Sequence, residues 1–237
     1  PRQVRETWPA DAKATDVEVG AEVSCAVIEL DNTPSSNQVW CWGKNDLGQL
    51  GRGSVGGNSN VPVRVQGLAN KRIIERAEGT FVTSAPACVL TDEVGVVNAY
   101  CWGGNAHAEI GNDLKATGPV TVASQVQDPN NLFAGKQLTS ISANNYSTCV
   151  ATEDGVVFCW GWSTPNDWTD GNPCLLNIDI LGMSGAPGCP ATGRPKPTQK
   201  IPQADFGNKP VTKLAAGGWT NCAIAGDDAY CWGNNVK

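Results

Sequence analysis

Histidine and methionine occur once each in 237 residues, and no two cysteines stand in a C-x-x-C spacing. Zinc sites draw on closely spaced Cys and His, so neither a structural nor a catalytic zinc fits this sequence. Charged residues make up 17 % of the chain and the formal net charge is −6. That balance lacks the basic footprint of a nucleic-acid binder. No apolar run approaches the roughly 18 residues of a membrane span. G-x-S-x-G, H-E-x-x-H and G-x-x-x-x-G-K-[ST] are all missing, which leaves hydrolase, metalloprotease and phosphate-cradle chemistry without a motif. The single His107 has no Ser or Cys partner by motif. The expectation is therefore a non-enzyme without cofactor, metal or nucleic acid. No signal peptide is visible, so the numbering is expected to start inside a mature or trimmed product.

What the chain does have is a tetrapeptide, an aromatic residue followed by Cys-Trp-Gly, at four places: Trp40–Gly43, Tyr100–Gly103, Phe158–Gly161 and Tyr230–Gly233. The cysteines recur at intervals of 60, 58 and 72 residues, an internal repeat that has to be settled before any other feature. In an extended strand alternate side chains face opposite ways, so the two aromatics share one face and the Cys takes the other. Upstream of each tetrapeptide lies a Cys in a short apolar strand (Cys25, Cys88, Cys149, Cys222), and before that another apolar segment. Downstream of the first comes Asn45-Asp46-Leu47-Gly48-Gln49-Leu50-Gly51, degraded in the second to Asn105-Ala106-His107-Ala108-Glu109-Ile110-Gly111. Pro-led segments at Pro62, Pro119 and Pro197 close the units. Four short β segments per unit predict a four-stranded propeller blade.

This order of segments, best preserved from Val17 to Val65, resembles the repeat of the regulator-of-chromosome-condensation family. The Cys-bearing version resembles bacterial secreted members. The resemblance implies an all-β propeller of blades 17–67, 73–122, 138–201 and 211–237, forming one domain over residues 1–237. Residues 1–4, Pro-Arg-Gln-Val, match a closing strand and are a candidate completion of the last blade. Residues 9–16 read as a polar linker. The family's ring usually has seven blades, so the four repeats form either a small closed ring or part of a larger propeller. The acidic charge argues against the chromatin-binding role of the nuclear relatives and weakens any analogy to their nucleotide-exchange activity.

Hairpin counting pairs the cysteines. A two-residue turn at Gly226-Asp227 sets Cys222 opposite Cys231, and opposed antiparallel residues come close to disulfide reach. The same logic pairs Cys149 with Cys159, Cys88 with Cys101 and Cys25 with Cys41. Cys174 and Cys189 remain for each other. Five bridges imply an oxidising compartment, hence an extracellular or cell-surface location. The four Trp of the tetrapeptides are expected between blades, with carbohydrate or base stacking as the alternative.

An insertion at about 162–196 breaks the repeat. Asp167, Asp170 and Asp179 lie in it without the spacing of a calcium loop. Trp168, Leu175, Leu176, Ile178, Ile180, Leu181 and Met183 are the candidate partner contact, with a cap on the blade below as the other reading. The expected function is a secreted or cell-surface, non-catalytic propeller that binds another macromolecule, a protein, through its loops. Family resemblance supplies a precedent in secreted propellers that include an enzyme inhibitor. The alternatives are a structural or adhesive module of an extracellular appendage or filament, as part of a larger assembly, and a glycan-binding module.

Overall fold

Central strands sandwiched between neighbouring sheets have two faces to bury, so their sequences run apolar instead of alternating. Val23–Glu29, Pro86–Asp92, Ser147–Thr152 and Val157–Gly161 have this character, and in the computed structural model the last two are buried along their whole length. The structure describes residues 8–20, 22–30, 37–77, 85–112, 118–128, 132–133, 135–145, 147–161, 194–201, 203–217 and 220–233, with side chains of 194–200 and 233 left aside.

These residues form four antiparallel sheets in chain order. The first holds β1 (Lys13–Val19), β2 (Val23–Glu29), β3 (Gln38–Gly43) and β4 (Ser59–Arg64). The second holds β5 (Arg72–Arg76), β6 (Pro86–Asp92), β7 (Val97–Gly103) and β8 (Val120–Gln125). The third holds β9 (Leu138–Ala143), β10 (Ser147–Thr152), β11 (Val157–Gly161) and β12 (Arg194–Ile201). The fourth holds β13 (Val211–Ala216), β14 (Thr220–Ala225) and β15 (Asp228–Gly233). Within each sheet the strands follow one another in sequence, the meander of a propeller blade. No helix among the described residues is long and apolar enough to cross a membrane.

The alternation within the tetrapeptides decides how blades stack. Tyr100 and Trp102 point back into the core shared with sheet 1, while Cys101 points forward into the core shared with sheet 3. Phe158 and Trp160 likewise face sheet 2, and Cys159 faces sheet 4. Three inter-blade cores result. On the open side of sheet 1, Trp40 and Trp42 are only half-buried beside Ala12, Ala26, Ile28 and Trp8. Val17 and Val19 of β1 stand 62 % and 69 % exposed. Packing runs from each sheet to the next, and sheets 1 and 4 share no core among the described residues.

Within the sheets, Cys25–Cys41, Cys88–Cys101, Cys149–Cys159 and Cys222–Cys231 sit directly opposite each other and are bonded, with Cα atoms 4.1, 4.1, 4.1 and 4.0 Å apart. Cys174 and Cys189 lie outside the described residues. One expectation is corrected here: Lys13–Asp16, read as linker, is already strand, paired with Val27, Ile28 and Glu29. Backbone pairing forms it regardless of polarity, and its side chains stand exposed among the described residues.

The β6–β7 hairpin turns through Val94 (φ 59°) and Gly95 (φ 85°), closed by Glu93 N–H to Val96 O at 2.9 Å. A two-residue turn of this hand favours Asn-Gly, and a β-branched residue in left-handed backbone is strained. Val94 is fully exposed, so no packing offsets that strain. Val94→Asn should raise stability by about 1 kcal/mol in urea titration. An unchanged or lowered midpoint would show that the isopropyl group makes a contact the strain is retained for.

Candidate protein-interaction surface

Each third strand ends at a glycine (Gly43, Gly103, Gly161) that faces the start of the second strand, so the connection to the fourth strand leaves every blade on the same face. In blades 1 and 2 that connection is consumed by the next blade. Asn45 is fully buried; its amide donates to Ser54 O and Gly56 O, and its carbonyl accepts Leu50 N–H. This holds the Gln49 carbonyl where Trp102 Nε1–H reaches it at 2.9 Å. One blade on, Glu109 O accepts Trp160 Nε1–H and the Thr148 hydroxyl, each at 2.8 Å. Gly51 and Gly111 follow, both at left-handed φ. A Cβ on Gly111 would stand 2.4 Å from Trp160 Nε1. Indole, carbonyl and glycine thus form a mortise between successive blades.

The second copy explains the lone histidine. Glu109 replaces Gln49 and is fully buried, one carboxylate oxygen accepting His107 N–H and the other lying 2.8 Å from His107 Nδ1. In the first copy Gln49 Oε1 accepts Leu47 N–H at the matching place. His107 is the companion of a buried carboxylate, a structural role that its spacing of two residues from Glu109 could have suggested.

A second feature was invisible in the repeat pattern. Every first strand carries a one-residue bulge at the same place, with Thr15, Ile74, Thr139 and Thr212 as the extra residues. Three of the four are threonines whose hydroxyls donate to Val27 O, Ala151 O and Ile224 O, each at 3.4 Å. Bulges re-aim the following side chain, here Asp16, Glu75, Ser140 and Lys213. Three of the four, Glu75, Ser140 and Lys213, meet one another across blades, and Asp16 meets Arg76. Ser140 Oγ–H donates to Glu75 at 2.9 Å and accepts Leu214 N–H at 3.0 Å, and Lys213 Nζ lies 3.8 Å from Glu75. Arg76, 8 % exposed, donates to Asp16 at 2.8 Å and pairs with Glu18 at 3.3 Å. Burial works to raise the Asp16 pKa, but the Arg76 hydrogen bond and charge outweigh it and hold the carboxyl below its ordinary value. The inner strands therefore carry a self-satisfied polar seam.

Trp102, Trp160 and Trp232 are at most 4 % exposed. These three rings pack between blades as expected and offer no stacking platform, whereas Trp42, the fourth, is half-buried on the open side of sheet 1 and packs between no two blades among the described residues. The connection after Gly161 runs to its pairing partner Arg194 over 32 residues, against 15 between Gly43 and Ser59 and 16 between Gly103 and Val120. Its contact candidates, Trp168, Leu175, Leu176, Ile178, Ile180, Leu181 and Met183, lie outside the described residues, as do Asp167, Asp170 and Asp179.

Residues 36–85 and 138–164 match the family described as the regulator of chromosome condensation (RCC1) repeat. The chain has an RCC1-repeat, propeller-like fold. It is 27 % identical over 243 residues to the mitochondrial RCC1 domain-containing protein RUG3 of Arabidopsis thaliana, covering 99 % of this chain and 44 % of that protein. The ultraviolet-B receptor UVR8 of the same plant is 28 % identical over 65 % of this chain and 32 % of its own length. Among solved structures, human WBSCR16 superposes with a TM-score of 0.68 and Prp20p of Saccharomyces cerevisiae with 0.64. Each is 18 % identical over 96 % of this chain, which spans 49 % and 47 % of theirs. The chain thus spans about half or less of these relatives. The shared part is the blade repeat.

These relatives overturn one expectation. They are eukaryotic and intracellular, the plant protein being mitochondrial by name, so the bacterial, secreted, cell-surface and adhesive reading does not stand. With it goes the extracellular or cell-surface location, and the filament or appendage role. The physical reason lies in the cysteine argument. Opposition across a hairpin fixes proximity, whereas the compartment fixes redox state. Proximity was read as if it reported the compartment.

Proposed function

We propose that residues 1–237 form one propeller domain that binds a protein, on the face from which the β11–β12 connection leaves. The observation that carries this is the doubling of that connection. Blades 1 and 2 use their connections to build the mortise for the next blade, and blade 3 has some sixteen residues beyond that need. The strands themselves are committed to packing, so specificity falls to loops. Trp168 and the apolar residues Leu175 to Met183 supply anchor types found at binding hot spots. Prp20p, which shares the fold, is described by its binding to Gsp1p and histones, a protein-binding use of the same scaffold. We further infer that the bridges, Cys174–Cys189 included, are formed in the working protein.

The test replaces residues 162–193 with Lys44–Asn58 of blade 1. That graft keeps a Gln-Leu-Gly segment for Trp232, whose buried Nε1 has no partner among the described residues. The variant should fold, melt within a few degrees of the parent, and lose its principal partner in cross-linking pull-downs from cells. A folded variant that still captures the same partner would place the contact elsewhere. An unfolded one would make the insertion a cap.

A further inference from the structure

Alternation along the tetrapeptide gives each blade two unlike faces, and in blades 1 to 3 the sulfurs all lie on the forward one. Cys25 and Cys41 sit in the core between sheets 1 and 2, and Cys88 and Cys101 in the core between sheets 2 and 3. Cys149 and Cys159 sit between sheets 3 and 4. The tryptophan in each of these cores belongs to the following blade: Trp102, Trp160 and Trp232 in turn. All six cysteines are at most 3 % exposed. A bridge is therefore walled on one side by its own sheet and on the other by the next blade. Trp160 adjoins Cys159 in sequence, yet it shares its core with Cys88 and Cys101 of the blade before.

Reduction of a disulfide begins when a thiolate attacks one of its sulfurs, forming a mixed disulfide and releasing the other sulfur as thiolate. A second thiolate of the reductant then displaces the remaining protein sulfur. Two electrons pass from reductant to bridge, the reductant leaves as its own disulfide, and both protein thiolates take up protons. Each displacement needs room at a sulfur. Fraying of a sheet edge does not provide it, because the bridges join the second and third strands, which a first and a fourth strand flank in all three sheets. Only separation of a blade from its successor uncovers the forward face. At two of the joints that separation must break an indole hydrogen bond, Trp102 to Gln49 O and Trp160 to Glu109 O.

We propose that each of these three bridges is a redox-sensitive element gated by the following blade, exchanging with thiols only while that blade is undocked. Docked, the bridges stay oxidised in a glutathione pool of the kind that reduces accessible cystines inside cells. Undocking of one joint exposes one bridge, so a local opening is recorded as a pair of thiols in one blade. Persistence of the cystines then depends on access and not on compartment. The proposal rests on the bridges being formed, as inferred above.

The test holds the native chain in dithiothreitol, quenches with iodoacetamide at intervals and maps the peptides. Before reductant is added, none of the six cysteines should be alkylated. Free thiols at that stage overturn the formed-bridge reading and this proposal with it, whereas the remaining outcomes bear on this proposal alone. The three wild-type bridges should be reduced at least about a hundredfold more slowly than in the urea-unfolded chain, because access limits exchange. Trp160→Ala should speed reduction of Cys88–Cys101 at least about tenfold and leave Cys25–Cys41 and the adjacent Cys149–Cys159 at the parent rate. Trp102→Ala should do the same for Cys25–Cys41 alone. Should Trp160→Ala not fold, Trp160→Phe, which keeps a ring and loses the Nε1–H donor, should accelerate the same bridge by a smaller factor. Wild-type bridges as labile as those of the unfolded chain overturn the proposal. So does equal acceleration of all three bridges, which would mean exchange through global unfolding, and so does a Trp160 variant in which Cys149–Cys159 responds and Cys88–Cys101 does not.

Discussion

Trp160→Ala should cost roughly 3 to 5 kcal/mol, the range for truncating a large buried aromatic, and Trp42→Ala should cost far less. The two residues hold the same place in the same tetrapeptide. Trp160 is 1 % exposed, donates to Glu109 O and lies over Gly111. Trp42 is half-buried on the open side of blade 1, with no mortise around its indole among the described residues. Truncating Trp160 removes the ring, leaves the Glu109 carbonyl one donor short and opens a cavity between blades 2 and 3. Gly111→Ala attacks the same joint from the other side, combining left-handed backbone (φ 72°) with a Cβ driven into the indole. The two changes should be strongly non-additive. In Trp160→Ala the clash is gone, so adding Gly111→Ala should cost only the backbone strain, about 1 to 2 kcal/mol. Urea midpoints of the four proteins measure it. Additive losses, or an equal loss at Trp42, would mean that the indole is not the element joining the blades.

That joint was legible because it is a matter of period. Alternation across a strand separates the aromatics from the Cys, and a Gly after each motif permits close approach. These are local rules, and the repeat states them four times. The extent of β1 was missed for the converse reason. Lys13–Asp16 is strand by backbone pairing with Val27, Ile28 and Glu29 and carries no apolar face, whereas sequence reading equates strand with apolar alternation. The bulges at Thr15, Ile74, Thr139 and Thr212 left only a faint mark, a threonine in three copies. What they accomplish depends on neighbours some sixty or more residues away, such as Glu75 with Ser140. The compartment failed for a different cause: a hairpin places two sulfurs together wherever the protein resides, and the charge and length of the insertion carry no address.

Arg76→Ala should be the most damaging substitution on the polar seam, by about 3 kcal/mol, near the lower end for breaking a buried ion pair. Arg76 is 8 % exposed and holds two carboxylates at once, Asp16 through Nε at 2.8 Å and Glu18 through Nη1 at 3.3 Å, and the same Nη1 reaches Cys25 O at 3.4 Å. Without it the Glu18 side chain, 16 % exposed, loses the cation that faces it from blade 2. Asp16 is 54 % exposed and suffers less, because water takes over. Arg76→Lys should recover only part of the loss, since an ammonium cannot address both carboxylates with the geometry of the guanidinium fork. The pH dependence separates this pair from simple packing. The Asp16 pKa is held below its ordinary value in the folded chain. Its contribution is therefore full above the ordinary carboxylate value of about 4 and drains away as pH falls through the lowered one. Glu93 behaves alike: burial raises it, but hydrogen bonds from Lys71, Tyr100 and Asn98 prevail and lower it. Urea midpoints between pH 7 and pH 3 should accordingly fall less steeply in Arg76→Ala than in the parent, the residual slope coming from Glu93 and its like. Parallel curves for the two proteins would mean that Arg76 stabilises the joint between blades 1 and 2 by packing alone, with no electrostatic hold on Asp16.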